Sequence, residues 1–203
     1  MKKHWETVYE TKNPEQVSWT QEIPKTSLNF IHNFRLNKKA KIIDIGGGDS
    51  KLVDFLLEEG FENITVLDIS EKAIEKAQLR LGSKANKINW IVSDITQFVP
   101  TTRYDVWHDR AAFHFLTTQE QINSYVSIIK KFVSNYIIIG TFSENGPKKC
   151  SGLDIKQYTK ETLSSLFKNE FQAINCFTED HTTPFGTQQN FIFCFFKRGI
   201  DKD

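Results

Sequence analysis

Lys41-Ile-Ile-Asp-Ile-Gly-Gly-Gly-Asp-Ser50, followed by Val66-Leu-Asp-Ile-Ser70, decides how this chain folds. An apolar strand with an acid near its end runs into three glycines and then into an amphipathic helix. A second apolar strand follows and ends in another acid, Asp68. That is the first βαβ unit of a nucleotide-binding sheet, with glycines at the strand end where a ligand lies against bare backbone. A dinucleotide fingerprint asks for a third glycine where this chain has Lys51, a bulky residue at a close helix–strand packing position. It does not ask for an acid two residues before the first glycine, where this chain has Asp44. An acid there suits a ligand with a cationic group, such as an amino group, better than a pyrophosphate.

Outward from that unit, strand and helix alternate. Strands are expected at Ile42–Asp44, Ile64–Asp68, Ile88–Val92, Tyr104–His108 and Tyr136–Thr141. One helix runs from about Ser50 to Glu59 and closes at Gly60; a second is capped by Ser70 and ends near Gly82. Thr118 and Gln121 have the spacing of a capping box, opening a helix that extends to about Phe132. A loop with Gly146, Pro147 and Gly152 leads to a helix near Thr159–Phe167. Phe171–Thr178 and Gln189–Lys197 follow with only a Pro184/Gly186 turn between them, which reads as an antiparallel hairpin at a sheet edge. Ahead of the first strand, Trp5 to Phe34 reads as two short helices flanking the irregular stretch Asn13–Pro24.

The expected fold is α/β, a Rossmann-like three-layer sandwich around a seven-stranded, mostly parallel sheet with an antiparallel C-terminal hairpin strand. Its 203 residues make one domain. An aromatic lid spans 1–36, a binding core 41–141, and a substrate loop, helix and terminal strand pair 142–203. The 26 basic and 25 acidic residues nearly cancel, so no long-range field points to nucleic acid or an anionic membrane. No apolar run reaches the roughly 20 residues of a membrane helix, and Met1-Lys-Lys-His-Trp-Glu6 has no apolar signal segment. Cys150, Cys176 and Cys194 are odd in number and widely spaced, without a CxxC pair. Neither a disulfide framework nor a zinc site is expected, and the cytoplasm is the natural compartment.

Asp44, Asp68 and Asp94 each stand at the carboxyl end of a successive strand, where ligands of open α/β sheets bind. Asp44-x-Gly46-x-Gly48 with Asp68 beyond resembles the S-adenosylmethionine site of class I methyltransferases. The resemblance implies that Gly46, Gly47 and Gly48 carry the cofactor, which leaves as S-adenosylhomocysteine. Asp68 would accept hydrogen bonds from the ribose hydroxyls and Ile69 would pack on adenine. Asp94 and the Ile95 amide would meet its polar edge, and His108 and Trp19 would complete the cofactor site, Trp19 as a lid residue.

Tyr104-Asp-Val-Trp-His-Asp-Arg-Ala-Ala-Phe113 is similar to the Trp-Asp-Arg-Gly-Ala-Leu segment of thiopurine S-methyltransferases, offset by the extra His108. Trp5…Tyr9…Trp19-Thr-Gln21 resembles that family's aromatic prefix. With Cys150-Ser-Gly-Leu153 and His181-Thr-Thr-Pro-Phe-Gly186…Gln189, the chain resembles small bacterial methyltransferases. That resemblance implies a small-molecule acceptor, a thiol or other soft nucleophile, and a monomer or weak homodimer. Asp109 and Arg110 are the expected catalytic, substrate-positioning pair, with Arg110, His114 and His181 facing the substrate. His114 reads first as a packing histidine, and the Asp109–Arg110 pair equally as an internal brace. No Asn/Asp-Pro-Pro-Tyr motif follows the fourth strand, which sets nucleic-acid methylation aside. A protein lysine or N-terminal methyltransferase and a non-catalytic S-adenosylmethionine binder stay open as alternatives.

Overall fold

A computed structural model describes residues 1–199. Lys2–Thr11 (α1) and Lys25–Asn33 (α2) precede the sheet. Lys41–Ile45 (β1), Leu52–Glu58 (α3), Asn63–Asp68 (β2), Glu71–Leu81 (α4), Ile88–Val92 (β3) and Tyr104–Arg110 (β4) form its first half. Gln119–Phe132 (α5) and Val133–Phe142 (β5) continue it. The two-residue strands Lys149–Cys150 (β6) and Leu153–Asp154 (β7) make a small separate ribbon in the expected loop. Lys160–Ser165 (α6), Phe171–Thr182 (β8) and Gln188–Arg198 (β9) close the chain.

The sheet order is β3-β2-β1-β4-β5-β9-β8, parallel from β3 to β5 and antiparallel from β5 through β9 to β8. This is the expected seven-stranded arrangement. Well inside it lies β1, where Ile42, Ile43 and Ile45 are buried, so successive side chains feed the two helical layers in turn. Ile43 and Ile45 pack with Trp107 of β4 and with Ile122, Tyr125 and Ile129 of α5. Ile42 packs with Val106 and with Leu28 and Ile31 of α2 and Leu52, Val53 and Leu56 of α3. The strands break at their carboxyl ends on one side, with caps where they were expected. Ser70 Oγ accepts the Ala73 amide to open α4, and Thr118 with Gln121 forms the reciprocal box that opens α5.

Two expectations are corrected here. The fourth strand runs on to Arg110, so Asp109 and Arg110 lie within it and project to opposite faces. Cys176 and Cys194 are disulfide-bonded, because the antiparallel register sets them directly opposite one another on β8 and β9. Counting cysteines and their spacing missed this, since partners 18 residues apart are brought together only by the hairpin. The cysteines therefore no longer support a reducing compartment. Among the described residues, no helix is long and apolar enough to cross a membrane.

The N-terminal segment is tied to the sandwich by a cap supplied in trans. Glu6 of α1 accepts from the Glu71 and Lys72 amides and from Ser70 Oγ, all at the opening of α4. A carboxylate there meets unpaired amides and the positive end of the helix. Partial burial pushes the Glu6 pKa up, but the Lys72 and Glu71 amides and the Ser70 hydroxyl outweigh it, and the net shift is downward. An acid lowered in the folded state adds stability above its unfolded pKa and loses it as pH falls through the folded value. Glu6→Gln is therefore expected to lower the protection of the α1 amides, relative to their intrinsic exchange rates, at neutral pH, and acidification below the ordinary glutamate range should lower it in the wild type. Unchanged protection in both would mean that α1 is held by its aromatic residues alone.

Candidate cofactor and acceptor site

The glycine turn after β1 lets two carboxylates come against its backbone. A Cβ on Gly47 would stand 2.7 Å from Asp44 Oδ2. At Gly48, φ is +32° and a Cβ would stand 2.7 Å from Asp68 Oδ2. Any side chain at either position would displace an acid, so the run of glycines and the two acids form one device. The Gly46 amide donates to the Leu67 carbonyl at 2.8 Å, holding the turn across the top of β2.

Asp68 is 5% exposed, and its Oδ1 accepts the Ser70 amide at 2.8 Å. Burial, reinforced by the charges of Asp44 and Glu6, pushes its pKa up to about 7 against the lowering effect of the Ser70 bond. The Tyr9 hydroxyl reaches the same point above Gly48. Asp94 spends one oxygen on the amide and hydroxyl of Thr96, capping the turn Ile95–Gln97. Asp68, Ile69, Asp94 and Ile95 line a cavity of about 130 Å³ walled by Trp5, Tyr9, Trp19 and Phe115. These are the residues expected to hold the adenosyl half, gathered on the ends of β2 and β3.

A second cavity of about 400 Å³ adjoins it, and Tyr9, Trp19, Gly46 and Arg110 line both. At its inner wall three buried side chains form a hydrogen-bonded chain. Asp44 Oδ1 meets His108 Nδ1 at 2.7 Å, and His108 Nε2 meets Ser27 Oγ at 2.7 Å. Asp44 and His108 are opposite one another in the β1–β4 register, and Ser27 comes from α2 of the lid segment. With Nδ1 donating to the carboxylate, His108 serves both neighbours and has no nitrogen left over. Asp44 Oδ2 is buried without a partner, which suits it to a donor on a cationic ligand.

The expected Asp109–Arg110 pair does not form. Asp109 is fully buried on the α5 face, accepting from the Ala112 and Phe113 amides at 3.1 and 3.0 Å and from Tyr125 Oη at 2.7 Å. It lines neither cavity and fixes the turn after β4. Arg110 points the other way, donating from Nη1 to the Trp19 carbonyl at 2.8 Å, with its guanidinium 5.0 Å from the Phe191 ring. His114, expected to face the substrate, is fully buried and stacks on Phe142 with ring centroids 4.3 Å apart. Burial, and then the charge of Arg110, pushes its pKa down to about 3, and it lines neither cavity. His181 donates from Nε2 to the Ser18 carbonyl at 2.7 Å. It therefore holds the N-terminal segment from β8 instead of lining the shared wall, as Arg110 holds it from β4.

Ser27 and Glu6 were not singled out by sequence, and Tyr9 entered only as part of the aromatic prefix. Tyr9 lies one helical turn after Trp5 on α1, a spacing that puts both on one face. Ser27 carries no local signal, because only the packing of α2 on the sheet brings it to His108.

Residues 42–134 match the family described as Methyltransferase domain. The match covers just under half of the chain. The glycine turn and the strand-end acids fit S-adenosylmethionine, with the unpartnered Asp44 Oδ2 suited to its amino group. The eEF1A lysine and N-terminal methyltransferase of Mus musculus is 25% identical over 119 residues, covering 58% of this chain and 17% of that protein. Malonyl-[acyl-carrier protein] O-methyltransferase 1 of Ilyobacter polytropus is 29% identical over 99 residues, 48% of this chain and 35% of that protein. The chain thus spans well under half the length of these curated relatives. Among solved structures, a SAM-dependent methyltransferase from Anabaena variabilis superposes with a TM-score of 0.74 at 14% identity, over 98% of this chain and 93% of its own. A protein studied for the conversion of a disulfide bond into a thioacetal group in echinomycin biosynthesis superposes at 0.79 and 15% identity, over 100% and 94%. At these identities the likeness is one of fold.

Proposed function

We propose that the protein transfers the methyl group of S-adenosylmethionine to a small molecule. The observation that carries this reading is the junction of the two cavities at Gly46 and Arg110 beneath Tyr9 and Trp19. Adenosine would occupy the cavity bounded by Asp68 and Asp94, and the methionyl arm would pass over Gly46 toward Asp44. The sulfonium would then stand at the junction. Methyl transfer from a sulfonium is an in-line displacement at an activated carbon, so the protein's task is to align the acceptor and exclude water. Arg110 on Trp19, His181 on Ser18 and Glu6 on α4 hold a lid that serves exclusion, and that enclosure favours a small acceptor over a protein side chain. The lysine and N-terminal methyltransferase among the relatives keeps the protein-acceptor reading as the rival.

S-adenosylhomocysteine is expected to raise the melting temperature, since a ligand that binds only the native state stabilises it by mass action, and NAD is not. A shift with NAD alone would overturn the cofactor assignment. Release of S-adenosylhomocysteine in the presence of lysine peptides but of no small molecule would favour the rival.

A further inference from the structure

We infer that the acceptor reaches the methyl group as an anion, a thiolate or a carboxylate, with its charge against Arg110. This rests on the methyltransferase reading and narrows its substrate class.

Among the described residues, Arg110 is the one cationic side chain shared by both cavities, at the junction with Gly46, Tyr9 and Trp19. Its Nη1 is spent on the Trp19 carbonyl, while Nε is buried and has no partner. No ion pair to it forms among the described residues. Two acids are close enough to be felt without pairing with it: Glu179 Oε2 accepts from Thr26 Oγ1 at 2.5 Å, and Asp44 meets His108 through Oδ1 and keeps Oδ2 for the amino group of the cofactor. Phe191 covers one side of the guanidinium. The side chain is half-buried, so the part of it that is out of water, the unpartnered Nε, carries a desolvation cost that an anion at the junction offsets. Burial lowers the Arg110 pKa to about 10, which still leaves the group charged at neutral pH.

The second observation is the want of a free base at the same place. Both nitrogens of His108 are engaged, Asp109 is on the opposite face, and His114 lines neither cavity. Burial and the charge of Asp68 push the Tyr9 hydroxyl well above its ordinary pKa. With Asp44 Oδ2 taken by the cofactor's amino group and Asp68 by its ribose, a protonated amine arriving here would meet a guanidinium and no group left to take its proton. An anionic nucleophile needs neither. Its lone pair forms the new bond to the methyl carbon as the carbon–sulfur bond of the sulfonium breaks. That electron pair returns to sulfur, which leaves as a neutral thioether, and no proton moves. Cation and anion become two neutral products, a change favoured between aromatic walls of low polarity.

The test begins with calorimetry of S-adenosylhomocysteine and of 5′-methylthioadenosine, which lacks the amino-acid head, on wild type, Arg110→Met and Arg110→Lys. Release of S-adenosylhomocysteine is then followed with benzenethiol, benzoate, aniline and a lysine peptide at pH 8. Wild type is expected to use benzenethiol or benzoate at least about tenfold better in kcat/KM than aniline or the peptide. Arg110→Met should lower that value by about thirtyfold or more while nucleoside affinities stay within about threefold, and Arg110→Lys should recover part of the loss. Use of aniline or the peptide alone, or of neither anion, overturns the inference. Selective loss of S-adenosylhomocysteine affinity in Arg110→Met, with 5′-methylthioadenosine unaffected, also overturns it, because the guanidinium would then serve the cofactor's carboxylate. Failure of wild type to bind either nucleoside would instead sink the methyltransferase reading beneath it, and the calorimetry tells the two failures apart.

Discussion

Asp109→Ala is expected to destabilise the protein by on the order of 3–5 kcal/mol, the largest single effect foreseen. The Asp109 carboxylate receives the Ala112 and Phe113 amides and the Tyr125 hydroxyl in a fully buried setting. Tyr125 Oη also accepts from Trp107 Nε1 at 2.9 Å, so the chain continues into the core. Removing the carboxylate leaves three buried donors without an acceptor and a cavity beside Phe113. Asp109→Asn keeps an oxygen for the two amides and should cost less. Burial, offset first by the Tyr125 bond, holds the Asp109 pKa at about 6. Denaturant unfolding measures the loss, and turnover per folded molecule should stay close to wild type. A near-normal unfolding midpoint with abolished turnover would instead return Asp109 to the catalytic role expected from sequence.

Asp68→Asn should move stability and binding in opposite directions. The Asp68 pKa is raised to about 7, so in the unliganded protein the folded state binds a proton that the unfolded chain releases. Stability then falls as pH rises from the ordinary aspartate range, about 3.9, to the folded value, and stays low above it. An amide carries no such charge and still offers an oxygen to the Ser70 amide. The unliganded variant is expected to be more stable at pH 8 by on the order of 2–4 kcal/mol, with less advantage at pH 5. Affinity for S-adenosylhomocysteine should drop by about 1.5–3 kcal/mol, since ribose hydroxyls lose an ionised acceptor. Wild-type affinity should rise between pH 6 and 8 as the carboxylate ionises. Thermal melts and calorimetry across that range test both halves; unchanged affinity would leave Asp68 as a turn residue only.

The parallel core was legible because its signals are local. Ile42–Asp44, the glycine run and the Ser70 cap each announce themselves within a few residues, and the Phe171 and Gln189 strands lack the crossover that a parallel pair would need. Asp44, Asp68 and Asp94 were found for the same reason, as strand-end acids whose direction the fold class dictates. What sequence could not supply was the facing of side chains once a strand boundary moved. Ending the fourth strand at His108 left Asp109 and Arg110 free to be imagined together in a loop. Two further residues of strand set them back to back. Cys176 with Cys194, and Ser27 with His108, are likewise long-range pairings fixed by register and helix placement.

Ser27, His108 and Asp44 join the lid to the floor of the crevice through two short hydrogen bonds. Asp44, whose Oδ2 is left unpartnered, is thus oriented from a helix lying outside the parallel core. Occupancy below and posture above become two readings of one equilibrium. A substitution on α2 that never meets the nucleoside would register as a weaker dissociation constant, because only the molecules with that helix seated present the acid correctly. Affinity in such a protein is inherited partly from its prefix, and transplanting the glycine turn and its acids alone into another sheet would leave that share behind.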